Sequence, residues 1–496
     1  MEGLNLKIRV EALKRYERML KKIKTELGRR TVGSDFELKR YIEAYEKEAG
    51  EFMQISTFND FVNESLDKNI ILFGNFRTDN CVRDEFLIYI KKLNDLKIKF
   101  QIAFDFVPFS KRKIVASFVK GKIKKDDFVK SLTSKASKDF KILKSYLQIV
   151  DFAKENNIPI LPVDFDDTGW KSLNDKDEIT ARRLSSFYFE NTGSKLLVLA
   201  PDSWIAKGHL PLKLKAFLRE KGAEAKTLRI FSGSDKIYLK LARSFKEENA
   251  KIILASKDTY VLNTLHPVAR YKSFFNYLDR NIEISERTDF KSGFKKVLSA
   301  IDQGLGLGVN LDNLHYKLYS NYELRFLEEI LGSKFFKEKE KKEVLEYISM
   351  GESYFIPYEQ IIYLDNFSLV PAAEEGSHYL RYILAGVEKP KSGEDKFYIS
   401  VINEALAFMA SKIIVPERKP LRSESVKKAL KGILSSDLKE SMLLHTIGYD
   451  LGNKLYERFK SKKLSGEEIP KIFRRTTRST GESKKFYLNL LKMTEK

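Results

Sequence analysis

The sequence predicts an α/β protein: a mostly parallel sheet covered by helices, with an N-terminal helical hairpin and a mainly helical C-terminal region. Two observations carry this. From about residue 66 to 255, short apolar runs rich in Ile, Leu and Val alternate with longer amphipathic patterns, the signature of a parallel sheet whose helices are its crossovers. Beyond about 310 such runs thin out and apolar residues recur at helical spacing. The domains expected are 1–65, 66–300 and 301–496.

The elements follow in order. Leu6, Val10, Leu13, Leu20, Ile23 and Leu27 fall at three-, four- and seven-residue spacings among charged residues, an amphipathic helix over 4–28. Thr31-Val32-Gly33 breaks it. Ser34, with Glu37 three residues on, reads as a capping box for a second helix carrying Phe36, Tyr41, Ile42 and Tyr45. The apolar stripe of this hairpin is expected to pack on the neighbouring domain. Strands are predicted at 69–74, 98–106, 158–164 and 195–200, with helices over 81–96, 126–154 and 177–190. Strand-like runs at 228–231 and 251–255 precede a helix over 268–278, and periodicity leaves open whether they extend the same sheet. Further helices are predicted near 322–349, 371–386, 398–413, 424–434 and 437–461, punctuated by Pro390, Gly393, Pro416 and Pro420. The last forty residues, with Arg474, Arg475 and Arg478, read as a mobile basic tail.

With 496 residues, 43% of them hydrophobic, the chain can bury real cores and is not a disordered polymer. Lys and Arg number 90 against 69 acids, a formal charge of +21, which allows an anionic partner without demanding one. The single cysteine, Cys81, excludes an internal disulfide and a thiolate metal cluster within one chain. The first residues are charged throughout, without the apolar core of a signal peptide, and nowhere do some 18 uncharged apolar residues run together. A cytoplasmic protein with no transmembrane segment is expected.

In a parallel sheet the loops at the carboxyl ends of the strands line the ligand crevice. Asn75 and Arg77 follow the first core strand, Asp105 ends the second, Asp164, Asp166 and Asp167 follow the third, and Asp202 follows the fourth. Converging carboxylates there would suit a hard cation, although strand ends are polar in nearly every α/β protein. His209 stands past the fourth strand. His266, His315, His378 and His445 are scattered with no two at ligand spacing, so no histidine-rich metal site is expected. Gly304-Leu305-Gly306-Leu307-Gly308 lacks the preceding strand and following Lys-Ser/Thr of a phosphate loop and reads as a flexible interdomain turn. Residues 111–144 hold twelve Lys or Arg against three acids, net +9, the densest basic stretch. Phe109, Phe118, Phe128 and Phe140 among them fit core-facing helical positions better than a base-stacking platform.

The motifs resemble the ChaN-like family of the haem-binding-uptake (Tiki-like) superfamily, in particular a long bacterial branch with a helical C-terminal extension. Gly74-Asn75-Phe76-Arg77-Thr78 resembles the family's Gly-Asp-Phe-His-Thr, Leu173 to Ala181 its Leu-x-x-Arg-Asp-x-x-Ala-Ala, and Ala200-Pro201-Asp202-Ser203-Trp204 with His209-Leu210-Pro211 its Gly-Asp/Glu-x-His and His-Leu-Pro. The stretches 267–274, 372–380 and 411–419 are similar to later motifs of that branch, so the resemblance spans roughly 66–420. It implies a metal or haem site built from an acid and a histidine after the first strand, an acid after the second and a histidine after the fourth. Here those positions hold Asn75, Arg77, Asp105 and Trp204. Both histidines are gone and one acid has become an amide. An indole offers a metal no lone pair, and a permanently charged guanidinium would repel the ion and pair with Asp105 instead.

The expectation is thus a non-catalytic relative, a pseudoenzyme, acting by ligand binding or assembly. The alternatives are a haem- or metal-binding protein or metal-dependent hydrolase with atypical ligands, and a binder of nucleic acid or anionic lipid. No catalytic residue and no metal ligand is assigned. Asn75, Arg77, Asp105, Asp164, Lys176, Asp202, Trp204 and His209 are the candidate lining of the crevice. Arg77 and Lys176 would offer charge to an anionic small ligand, with Trp204 as a stacking face. No cofactor is expected, haem or a divalent metal being what the family would bring. An anionic small ligand or a protein is the partner favoured over nucleic acid.

Overall fold

A computed structural model describes residues 2–31, 36–76, 80–132, 139–165, 172–278, 290–365, 368–420 and 436–495. The chain forms two compact units, Met1–Ile284 and Ser285–Lys496.

The first unit is built on eight strands: β1 (Gln54–Ser56), β2 (Ile70–Asn75), β3 (Phe100–Pro108), β4 (Ile160–Asp164), β5 (Lys195–Pro201), β6 (Thr227–Phe231), β7 (Ile252–Ser256) and β8 (Thr259–Leu262). Their order in the sheet is β1-β7-β8-β6-β2-β5-β3-β4. The six from β8 to β4 are parallel, while β7 and β1 close one edge antiparallel. The two late apolar runs therefore extend the same sheet. β2 is central and buried along its whole length, which is why it reads as an unbroken apolar run rather than an alternation. Its Ile71 and Phe73 enter one core with Leu197, Leu199, Ile102 and Phe104, and its Ile70 and Leu72 enter the opposite core with Leu196, Val198 and Ala103.

The helices of this unit are α1 (Glu2–Thr31), α2 (Phe36–Glu48), α3 (Phe58–Ser65), α4 (Asn80–Asp95), α5 (Arg112–Val119), α6 (Lys125–Leu132), α7 (Asp139–Glu155), α8 (Leu173–Glu190), α9 (Leu210–Glu220), α10 (Asp235–Arg243) and α11 (Pro267–Leu278). α1 lies against α10 and α11, burying Leu13, Tyr16 and Leu20. The predicted capping serine, Ser34, lies outside the described residues. Glu37 instead caps a different helix: its carboxylate accepts the backbone N–H groups of Leu173 and Asn174, at 2.9 and 3.0 Å, in the first turn of α8.

The second unit carries α12 (Phe290–Leu305), α13 (Leu324–Gly332), α14 (Glu338–Ser349), α15 (Leu369–Ala385), α16 (Gly393–Ile414), α17 (Ser436–Lys460), α18 (Glu468–Arg474) and α19 (Glu482–Glu495), with a small sheet ordered β10 (Tyr354–Ile356), β11 (Ile361–Leu364), β9 (Lys317–Ser320). The helix expected over 424–434 lies outside the described residues. Two expectations are corrected. The glycine-rich segment is not an interdomain turn: Gly304 lies in α12 and Gly306, at φ +64°, follows that helix's end. The basic tail is not a loose end either, because Ile469, Phe473, Phe486 and Leu490 bury their side chains in the core of the unit.

α16 is long and apolar enough to cross a membrane by composition, yet 61% of its most apolar window is buried inside the protein. α17 approaches it closely through two glycines spaced by four. An added Cβ at Gly452 would overlap the Ala405 carbonyl, and one at Gly448 would overlap the Glu404 side chain and crowd the Val401 carbonyl. Gly452→Ala is expected to destabilise the protein by about 1–3 kcal/mol, because backbone cannot move aside as a side chain can; a urea midpoint equal to or above that of the wild type would contradict this packing.

Candidate functional site

The parallel strands bring Asn75, Asp105, Asp164 and Asp202 to one edge, with Lys176, Trp204 and His209 in the segments just beyond. Arg77, Asp166 and Asp167 lie outside the described residues, and with Arg77 goes the expected Arg77–Asp105 pair. The remaining residues do not share one hollow. They fall into three groups.

On one face, Asn75 donates to the hydroxyl of Tyr146 and accepts from Arg83 Nη1 at 3.5 Å. The Arg83 guanidinium lies 5.1 Å from the centre of the Tyr146 ring and is 2% exposed. Asp105 is wholly buried where the register of β3 shifts between Phe104 and Pro108, and alternation from Phe104, which faces this core, does not place it in this group. Arg83 is a residue the sequence reading passed over. Its signal was present: it sits on the stripe of α4 that buries Val82, Phe86 and Ile90, where a charged residue is out of place unless it is paired.

On the opposite face, Lys176 Nζ stands 3.7 Å from Asp164 Oδ1, 4.1 Å from the centre of the Trp204 ring and 5.0 Å from that of Phe165. Trp204 is 6% exposed, and the lysine covers it. It is therefore not an open stacking face, and its side chain belongs to the core opposite that of Tyr146, so Asn75 and Trp204 do not meet. Beside Lys176, Asp177 is buried and accepts a 2.7 Å hydrogen bond from Tyr41 of α2. The His209 ring stacks on Tyr41 at 3.6 Å, with Nδ1 4.0 Å from Asp177 Oδ2. Burial pushes the Asp177 carboxyl up to about 7 and pushes His209 down, so near neutral pH the imidazole is uncharged while the carboxyl stands close to the midpoint of its titration.

The third group surrounds Asp202, which accepts from the backbone N–H of Ser232 at 2.7 Å and from its hydroxyl. A Cβ at Gly74 would overlap the Asp202 carboxylate, so the glycine is required by close approach. A second buried guanidinium, Arg270, donates to Asp235 at 2.9 Å and to the Tyr45 hydroxyl at 3.2 Å, and lies 5.5 and 5.3 Å from the centres of the Phe76 and Tyr271 rings. Tyr45 in turn donates to the Gly233 carbonyl.

The edge is thus occupied by the chain's own cations, Arg83, Lys176 and Arg270, each held against an aromatic ring. α2 lies across it, contributing Glu37, Tyr41 and Tyr45, while Glu48 pairs with Arg229. Among the described residues no three His, Cys, Asp or Glu side chains are gathered as a metal site would need.

Because the Asp177 carboxyl titrates higher in the folded chain than its ordinary value of 3.8, folding takes up a proton between that value and about 7. Stability from this group is full at low pH and lost as pH rises through that window. Asp177→Asn keeps an acceptor for Tyr41 and cannot ionise. The gap in unfolding free energy between variant and wild type should widen in the variant's favour as pH rises from about 4 to about 7; a gap independent of pH would exclude a buried, protonated Asp177.

No family model matches the sequence, and no curated protein matches it. Among solved structures, the chain is similar to a ChaN of Campylobacter jejuni described by its cofacial haem binding, at 16% identity and a TM-score of 0.31, over 42% of this chain and 91% of that one. This is a distant likeness, and nothing about the ligand of this chain follows from it.

Proposed function

We propose that the first unit is a non-catalytic, cytoplasmic relative of ChaN-like proteins that works by assembly with a partner rather than by chemistry at its strand ends. The observation that carries this reading is the set of fixed cations at the carboxyl edge. Arg83 and Arg270 are buried guanidiniums that never lose charge, and Lys176 is held between Asp164 and Trp204. A metal ion brought among them would be repelled, and an anion would have to displace carboxylates and rings already in contact with them. An amide at 75 and an indole at 204, where the resembled family has an acid and a histidine, point the same way. The anionic small ligand is the weaker form of the reading, because Lys176 and Trp204 already satisfy one another.

Haem titration of the purified chain tests this. No Soret band attributable to the strand-end edge is expected; a band abolished by Asn75→Ala or Trp204→Ala would overturn the proposal and favour a haem binder with atypical ligands.

A second reading, polyanion binding, draws on α5, α6 and the segment between them, where Arg112, Lys113, Lys120, Lys122, Lys124, Lys125 and Lys130 are exposed. The aromatic residues between them face inward: Phe118 and Phe128 are buried and stacked at 4.2 Å, so bases have nothing to stack on there. Retention on heparin is expected to be weak and non-specific, and replacing Lys120, Lys122 and Lys124 by Gln should shift elution only slightly. Loss of tight, steeply salt-dependent retention in that variant would favour the polyanion reading.

A further inference from the structure

From Lys7 to Arg30, α1 carries ten Lys or Arg against three acids. Its apolar side, with Ala12, Leu13, Tyr16, Leu20 and Ile23, is buried. At 3.6 residues per turn, Lys7, Lys14, Arg18, Lys21, Lys22 and Arg29 fall within an arc of about 100° on the opposite side, and all six are exposed. They form one cationic ridge about 33 Å long at 1.5 Å per residue.

The acids of the helix do not answer this ridge. Glu11 pairs with Arg15 at 3.0 Å, Glu17 with Arg243 at 2.8 Å and Glu26 with Arg30 at 2.9 Å. Among the described residues no carboxylate stands within ion-pair distance of Lys7, Lys14, Arg18, Lys21 or Lys22. A solvated helix face ordinarily mixes the two signs at neighbouring positions. Here one sign is left over, in a line.

At the N-terminal end of the ridge the chain also exposes apolar side chains. Leu6 and Val10, one turn apart, are 54% and 44% exposed. Phe245 is 52% exposed, and the Arg9 guanidinium lies 4.6 Å from the centre of its ring, which sets it against the same end of α1. Phe245 follows α10 at φ +56°, a left-handed position where glycine is the usual residue. A nucleic acid would use the cations, but the aliphatic Leu6 and Val10 offer its bases no stacking partner. A bilayer with anionic headgroups uses both features, its phosphates along the ridge and its acyl boundary at the apolar end.

We infer that α1 is a docking surface for an anionic lipid bilayer. Lys7, Lys14, Arg18, Lys21 and Lys22 lie against the headgroups, and Leu6, Val10 and Phe245 enter the interface. The apolar stripe of α1 stays packed on α10 and α11, so the helix keeps its place in the fold and the attachment is peripheral and reversible. Most of the hold is Coulombic and weakens with ionic strength. The surface does not depend on how the strand-end edge is read.

The test is co-sedimentation of the full chain with vesicles of phosphatidylcholine alone and of phosphatidylcholine mixed with phosphatidylglycerol. Binding is expected to the mixed vesicles only, falling steeply with added salt. Each cation neutralised should weaken it about fivefold, so Lys7→Gln, Lys14→Gln, Arg18→Gln and Lys21→Gln together should weaken it on the order of several hundred-fold. These four side chains are exposed, and an unchanged circular dichroism spectrum and thermal midpoint show that the variant is folded. Leu6→Ser with Phe245→Ser should weaken vesicle binding as well, whereas Gln at Lys120, Lys122 and Lys124 should not. No binding to the mixed vesicles, or equal binding by the α1 variant, overturns the surface. Wild-type binding to single-stranded DNA but not to the mixed vesicles, lost in the α1 variant, overturns it in favour of a nucleic acid.

Discussion

Burying a positive charge that cannot be discharged is the constraint that shapes the carboxyl edge of the large sheet. A guanidinium removed from water loses several kcal/mol of hydration unless acceptors and polarisable faces replace it. Arg270 recovers this through Asp235, Tyr45 and two aromatic rings, and Lys176 through Asp164, Phe165 and Trp204. These requirements dictate much of the surroundings: a glycine at 233, since a Cβ there would crowd Arg270, a tyrosine at 45, and Phe76 immediately after β2. A site that holds an exchangeable ion leaves its donors open. This edge spends its donors on the polypeptide.

α2 completes that arrangement. Every side chain it lends to the edge is polar at its tip and apolar along its body, so Tyr41 and Tyr45 fill space and satisfy buried groups together. Glu37 does so without burial, placing negative charge at the start of α8 where the helix dipole favours it. Lys176 lies in that same first turn, where a cation opposes the dipole, and the Glu37 carboxylate helps to offset it.

The fold was legible where physics is local. β2, β3, β4 and β5 announce themselves because a strand buried on both faces must be apolar throughout, and the helix after each strand follows from its stripe. The short strands were not legible: β1 and β8 are three and four residues long, too few for a period to register, and β1 depends on a partner far along the chain. At the site, Asp164 is read from its strand-end position, Lys176 as a charge for an anionic ligand and Trp204 through the family resemblance, and the three side chains converge. Asn75 and Trp204 are expected to meet and do not, because Asn75 bonds to Tyr146 of one core while Trp204, in the turn after β5, enters the opposite one, and the resemblance fixes positions along the chain, not faces. Arg83 was missed although its place on the buried stripe of α4 marks it, and Arg270 lies in a helix whose stripe gives no comparable sign.

The seat of β1 has a consequence for how the chain is made. Gln54 pairs with Leu254 and Ser56 with Ile252, so a strand synthesised early closes the sheet only after a partner some two hundred residues later has left the ribosome. Until then the apolar side of α1 has no finished surface to settle on, since of the two helices it lies against α10 comes only shortly before that partner and α11 after it. Such distant closure makes for slow assembly, and the nascent N-terminal segment must stay out of trouble by its dense charge until its berth exists.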